Sequence, residues 1–138
     1  MRVFLDANIL FSASFTQSRL ADLLDELQHH AVLLTNDYAR TEAERNVAAK
    51  LPKRLSAHRK FVSSLELVPT RLFALEFNLA KKDLPILCGA IAGKADFLVT
   101  GDKKDFGHLF GQTVRDVKIV TVQMLFVELI ERGIIRQS

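Results

Sequence analysis

The sequence holds a single cysteine, Cys88, so no intrachain disulfide and no thiolate zinc site is expected. Set in the apolar stretch from Ile86 to Ala92, that thiol reads as a small buried hydrophobe in a protein of a reducing compartment. No apolar run approaches the roughly 18 residues of a membrane span, and Met1-Arg2 leads directly into a strand-like segment. A soluble, cytoplasmic protein without a signal peptide is expected. Gly-rich phosphate loops of the Walker or dinucleotide type are missing, as is any Ser or Cys in a nucleophile elbow. Covalent catalysis then has no candidate except Asp6. Repeats, low-complexity tracts and linkers are also missing, which leaves one domain over residues 1–138, long enough to bury roughly 68% of its unfolded surface.

Acidic residues are missing between Glu44 and Glu66, where Arg45, Lys50, Lys53, Arg54, Arg59 and Lys60 fall together with His58. Net charge is only +3, so this basic stripe is local. Taken alone it is a solvated helical face whose long stems cover apolar surface. Beside an acidic pocket it is also what holds a polyanion backbone.

What the chain does have is an alternation of short apolar runs and helical patterns, the mark of an α/β sheet built from crossover units. Strands are expected over 2–5, 31–35, 65–68, 95–100 and, as an edge strand, 117–120. Ser18 caps a helix carrying Leu20, Leu23, Leu24 and Leu27 on one stripe. A second helix runs from Asn36 to Lys50 with Ala39, Ala43, Val47 and Leu51 four apart, until Pro52 ends it. Further helices are expected over 53–64, over 70–81 with Leu72, Leu75 and Leu79 facing the core, from Asp83 to Ala92, and over 122–132 with Gly133 at its end. The fold class is α/β, with about five parallel strands and helices on both faces.

Four apolar runs end at or beside acids. Val3-Phe4-Leu5 precedes Asp6; Val32-Leu33-Leu34 precedes Asn36-Asp37, with Glu42 beyond; Pro85-Ile86-Leu87 follows Asp83; Phe97-Leu98-Val99 precedes Gly101-Asp102. Open α/β sheets place their sites at the carboxyl ends of such strands. Grouped carboxylates repel unless a proton or a cation lies between them, and hard oxygen ligands suit Mg²⁺ or Mn²⁺. Asp6 reads as a ligand that Asn8 orients, although a capping aspartate also fits that corner. Asp83, two before Pro85, has the position of a helix N-cap. Asp102 ends the central strand and is the leading ligand. Helical spacing leaves Glu42 and Glu44 unresolved, and Asp105 either binds an ion or answers Lys103 and Lys104. Asp96 opens a strand and reads as structural, and His108 as a loop histidine.

Together, Val3-Phe4-Leu5-Asp6-Ala7-Asn8-Ile9-Leu10, the segment from Tyr38 to Val47, Asp83-Leu84-Pro85-Ile86-Leu87 and the segment from Ala95 to Phe106 resemble PIN domain ribonucleases. The pattern is closest to small stand-alone PIN proteins, the group that includes the VapC-type toxins of toxin-antitoxin pairs. The resemblance implies a three-layer α/β/α fold with a roughly five-stranded parallel sheet. It implies catalytic acids at Asp6, Glu42, Asp83 and Asp102 that hold metal, a further metal-side acid at Asp105, and supporting roles for Asn8 and Thr100. Ala7 stands where the family commonly has Thr. The implied chemistry is Mg²⁺- or Mn²⁺-dependent hydrolysis of single-stranded or structured RNA, leaving a 5′ phosphate; the basic stripe read from the charges is then expected to follow the RNA backbone through Lys53, Arg54 and Arg59. A homodimer and a cognate antitoxin are the implied protein partners. Two other readings stand beside it: a haloacid-dehalogenase-like phosphatase, whose second acid two residues after the first is here Asn8, and a non-catalytic RNA-binding or antitoxin-partner protein.

Overall fold

A computed structural model describes residues 1–75 and 79–136. Strand β1 (Arg2–Leu5) ends where Asp6, in extended conformation, accepts a hydrogen bond from the Ala7 amide at 2.6 Å and so caps helix α1 (Ala7–Ser12). The capping aspartate that also fitted this corner is thus present, and the helix it starts buries Ile9 and Leu10 along one face. Helix α2 (Arg19–Leu27) starts at Ser18, whose hydroxyl accepts from the Ala21 amide at 3.1 Å. Leu24 and Leu27 of its stripe are buried, while Leu20 and Leu23 are half-buried. Strand β2 (Val32–Asn36) runs into α3 (Asp37–Lys50) through the Asn36 side chain, which accepts from the Ala39 amide at 3.0 Å. Ala39, Ala43 and Val47 are completely buried, as their spacing requires. Pro52 opens a 3₁₀ turn (Pro52–Arg54), followed by α4 (Leu55–Ser63) and β3 (Glu66–Val68).

The helix expected over 70–81 does not form in the described residues of that span. Residues 70–75 and 79–80 have no regular structure, 81–83 form a turn, and 76–78 lie outside the described residues. Side chains from elsewhere hold this segment: Arg115 donates to the Ala74 carbonyl at 2.9 Å and lies over the Phe73 ring, and Cys88 Sγ approaches the Phe73 carbonyl at 3.6 Å. Tertiary partners supply contacts that a helix would have supplied from within. Leu75 and Leu79 still pack on the core, whereas Leu72 is exposed.

Helix α5 (Leu84–Ala92), strand β4 (Phe97–Val99), the single turn α6 (Lys103–Phe106) with a 3₁₀ turn after it (Gly107–Leu109), strands β5 (Thr113–Val114) and β6 (Val117–Val120), and helix α7 (Val122–Glu131) complete the chain. Gly133, at φ +73°, follows α7 as expected. The sheet order is β3-β2-β1-β4-β6-β5. Five strands are parallel and β5 pairs antiparallel with β6. Strand β6 is therefore interior rather than the expected edge. The hairpin that covers it turns on Arg115 and Asp116, both at positive φ, the geometry of a two-residue type I′ turn without its usual Asn-Gly signal.

From β1 the chain moves outward through β2 to β3, then returns to β4 on the other side of β1. The carboxyl ends of β1 and β4 thus flank a topological switch point. Helix α5 covers one face of the sheet, against Phe4 and Leu34; α7 covers the other, where the Arg132 guanidinium stacks on Phe97. Close approach of α5 depends on Gly89, where a Cβ would collide with Asn36 Nδ2 and stand 3.1 Å from the Phe4 ring. Gly89→Ala is expected to cost about 1–3 kcal/mol, because Asn36 also donates to the Pro85 carbonyl and cannot easily yield. Urea denaturation reads this directly; an unchanged midpoint would show that α5 shifts without strain.

Candidate active site

The switch point opens as a cleft of about 110 Å³ lined by Asp6, Ala7, Asn8, Glu42, Asn46, Lys82, Asp83 and Asp102. Asp6 is 4% exposed and held on every side. Besides the Ala7 amide, its carboxylate accepts from the Thr100 hydroxyl at 2.8 Å and from Asn8 Nδ2 at 3.4 Å. Asn8 ties the two strand ends together by also accepting from the Gly101 amide at 2.9 Å, and Thr100 Oγ1 accepts from the Asp102 amide at 3.1 Å. Asn8 and Thr100 therefore hold the Asp6 carboxylate and the backbone that carries Asp102 at once. Burial raises the Asp6 carboxyl to about 6, with Glu42 and Asp102 adding repulsion and the Thr100 and Ala7 hydrogen bonds opposing it.

Asp83 occupies the N-cap position of α5 but makes no capping hydrogen bond, so the cap reading of this residue is corrected. Its conformation is helical rather than extended, which carries the side chain past the amides it would have capped. It is 5% exposed, and its Oδ2 has no hydrogen-bond donor. Burial raises Asp83 to about 7, helped by Asp105 and Asp102, while Asp105 is held low by Lys82 and by its contact with Asp83. Of the two, Asp83 is the one that takes up a proton first, while Asp105 stays ionised beside Lys82. Asp102, in turn, caps α6 by accepting from the Asp105 amide at 3.0 Å. Oxygens of Asp83, Asp102 and Asp105 lie within 4.8 Å of one another, a spacing that one cation can bridge. Asp105, which spacing alone left even, joins the cluster.

Helix α3 separates Glu42 from Glu44. Its buried stripe is Ala39, Ala43 and Val47, and the residues one position earlier, Tyr38, Glu42 and Asn46, form the flank beside the cleft. Tyr38 reports this field: burial, then Glu42, Asp83 and Asp6, raise its phenol. Glu44 flanks the buried stripe on the opposite side and pairs with Arg59 at 2.7 Å. Sequence reasoning missed two members of the cleft. Asn46 was available from its i+4 relation to Glu42, and Lys82 from its place next to Asp83. Lys82 Nζ stands 3.0 Å from Asp105 Oδ2 and 3.9 Å from Asp102 Oδ2.

The other expectations divide. Asp96 is structural, accepting from the Arg2 amide at 2.8 Å, and His108 is exposed outside the cleft lining. His58 does not belong to the basic stripe: it is 2% exposed, with Nδ1 against the Ser14 hydroxyl at 2.8 Å, and burial lowers its pKa. Its neighbours Arg54 and Arg59 carry contacts within the chain, Arg54 to the Ser14 carbonyl at 3.0 Å and Arg59 to Glu44, while Lys53 is exposed. No helix among the described residues is long and apolar enough to cross a membrane.

The carboxylates fit a hard divalent cation. They are oxygen donors only, more numerous than the cations beside them, and two of their buried oxygens, Asp83 Oδ2 and Asp105 Oδ2, have no hydrogen bond of good geometry. No protein-family model and no curated protein matches the chain. Solved structures do. VapBC2 from Rickettsia felis, bound to a DNA fragment from its promoter, is similar at a TM-score of 0.64 and 19% identity, over 88% of this chain and 98% of that one. DNA-bound VapBC from Salmonella typhimurium is similar at 0.61 and 14%, over 88% and 98%. VapC20 from Mycobacterium tuberculosis, a Sarcin-Ricin loop cleaving toxin, is similar at 0.54 and 8%, over 74% and 91%. With its parallel sheet and an acidic cleft at the β1/β4 switch point, the chain has the VapC-like PIN fold.

Proposed function

We propose that the protein is a metal-dependent endoribonuclease that hydrolyses RNA phosphodiester bonds in this cleft. The observation that carries the reading is the convergence of Asp6, Glu42, Asp83 and Asp102, with Asp105 beside them, at the switch point, including a buried Asp83 oxygen without a donor. These five acids would hold Mg²⁺ or Mn²⁺, which when bound supplies a Lewis acid at the phosphoryl oxygen and a water of lowered pKa. Asn8 and Thr100 fix the Asp6 carboxylate and the Gly101-Asp102 backbone in advance, so that little reorganisation is left for the reaction. Both Asp6 oxygens already accept hydrogen bonds, which suits an oriented ligand better than the free nucleophile of a phosphatase.

RNA as the substrate is supported by the similarity to a toxin that cleaves the Sarcin-Ricin loop and by the basic surface of α4 and the turn before it, where Lys53, Arg54 and Arg59 would follow the phosphates. Likeness to chains of VapBC complexes supports a role as the toxin of a toxin-antitoxin pair with a cognate antitoxin as partner; a homodimer in the cytoplasm is part of the same proposal. The test is cleavage of single-stranded RNA by the purified protein with Mn²⁺ or Mg²⁺, its arrest by chelator and its recovery on adding metal. Full activity in chelator would overturn the metal reading. Absence of any saturable Mn²⁺ site would return the protein to the class of non-catalytic RNA-binding or antitoxin-partner proteins.

A further inference from the structure

Among the described residues that line it, the acidic cleft has one cation of its own, Lys82. Its ammonium stands 3.0 Å from Asp105 Oδ2 and 3.9 Å from Asp102 Oδ2, two of the three carboxylates whose oxygens gather within 4.8 Å of one another. It precedes Asp83 in the turn that leads into α5, so the backbone delivers a buried anion and an exposed cation to the same cleft. The ion pair is loosely held, above all on the lysine side. The Lys82 side chain is 62% exposed, and Asp105 Oδ2 has no hydrogen-bond partner of good geometry.

We propose that Lys82 is an internal competitor for the divalent cation, holding the Asp102 and Asp105 carboxylates in the metal-free protein and yielding them when metal binds. A dication on these oxygens and an ammonium 3.0 Å from one of them cannot share the position, because two such like charges at contact distance repel more strongly than an exposed ion pair attracts. The side chain leaves at small cost: it has four rotatable carbons and bulk water beside it. Two consequences follow. Metal affinity is held below what the carboxylates by themselves would give, and the displaced ammonium stays tethered at the mouth of the cleft, where an anionic substrate arrives. Lys82 is a positioning residue in this scheme and not a ligand.

The inference rests on reading the cluster as a divalent-cation site, and direct Mn²⁺ binding separates the two claims. Titrations followed by electron paramagnetic resonance, without RNA, compare wild type with Lys82→Met, Lys82→Gln, Lys82→Arg and the adjacent exposed Lys81→Met. Both neutral variants at 82 are expected to bind Mn²⁺ about three- to tenfold more tightly, while Lys82→Arg and Lys81→Met stay within about twofold of wild type. Unchanged or weaker binding in Lys82→Met and Lys82→Gln overturns the proposal while leaving the metal site standing. Equal tightening in Lys81→Met overturns it too, since that would be the general field of the chain and not competition at Asp102 and Asp105. If neither wild type nor any variant binds Mn²⁺, the metal reading and this inference fall together.

Discussion

Asp6→Asn and Asp102→Asn are expected to lower RNA cleavage at saturating Mn²⁺ by about three orders of magnitude, equivalent to about 4 kcal/mol of lost transition-state stabilisation. Each substitution keeps side-chain size and removes one ligand charge. Neither should unfold the chain. An asparagine at 6 still offers an oxygen to the Ala7 amide, and one at 102 still caps α6 through the Asp105 amide. Thr100 can turn its hydroxyl hydrogen away and accept from the new side-chain NH₂ at position 6, which preserves the link between the two strand ends. The measurement is initial cleavage rate against Mn²⁺ concentration, with circular dichroism to show that the fold is intact. Loss of less than about tenfold in both variants would mean that these acids do not carry the reaction.

Asp83→Asn is expected to stabilise the metal-free protein at pH 8 by about 5 °C in melting temperature, for a gain of about 2 kcal/mol after solvent and Lys82 screen part of the repulsion. In the folded chain Asp83 titrates at about 7 instead of its ordinary 3.8, since it is buried against Asp105 and Asp102. Between those two pH values the native state binds more protons than the unfolded chain, so stability falls as pH rises through the window and the full cost remains above it. The asparagine does not ionise and carries no such cost. The difference between variant and wild type should therefore be near zero at pH 4, grow toward pH 7, and level off above it. Added Mg²⁺ should reverse the order at pH 8, since the ion replaces the missing proton in wild type and finds one ligand fewer in the variant. A difference that is flat with pH would show that Asp83 is ionised in the metal-free fold.

These effects share one physical origin. Carboxylates gathered in one cleft are destabilising unless a cation or a proton lies among them, and the fold tolerates them through protonation and a lysine. Asp83 takes up a proton more readily than an ordinary carboxylate, Asp6 is held by Thr100, Asn8 and the Ala7 amide, and Lys82 answers Asp102 and Asp105. The site and the stability of the metal-free chain are therefore coupled.

The sequence by itself determined the parallel core and the acids at its edge. Strands β1, β2 and β4 are nearly all apolar because both faces are covered, and this makes them legible without neighbours. The caps at Ser18 and Asn36 and the stripe Ala39, Ala43 and Val47 are equally local, because each depends on contacts three or four residues apart. Tertiary structure decided what depends on distant partners. Leu72, Leu75 and Leu79 are spaced for a helix, yet Arg115 and Cys88 hold the neighbouring backbone in an irregular path. Strand β6 became interior because a positive-φ turn at Arg115 and Asp116 folds β5 over it. Glu42 and Glu44 carry the same side chain two residues apart, and only the packing of α3 turns one toward Asp6 and the other toward Arg59. Asp83 has the sequence of a helix cap, but its backbone is already helical, so its carboxylate is left for the cleft. His58 lies in a run of cations, but the core behind Ser14 takes it in and holds it neutral. Local sequence sets which groups exist and which element carries them; which way a charged side chain faces is set by elements far along the chain, because a charge settles only where the assembled fold leaves it water, a partner or a shared proton.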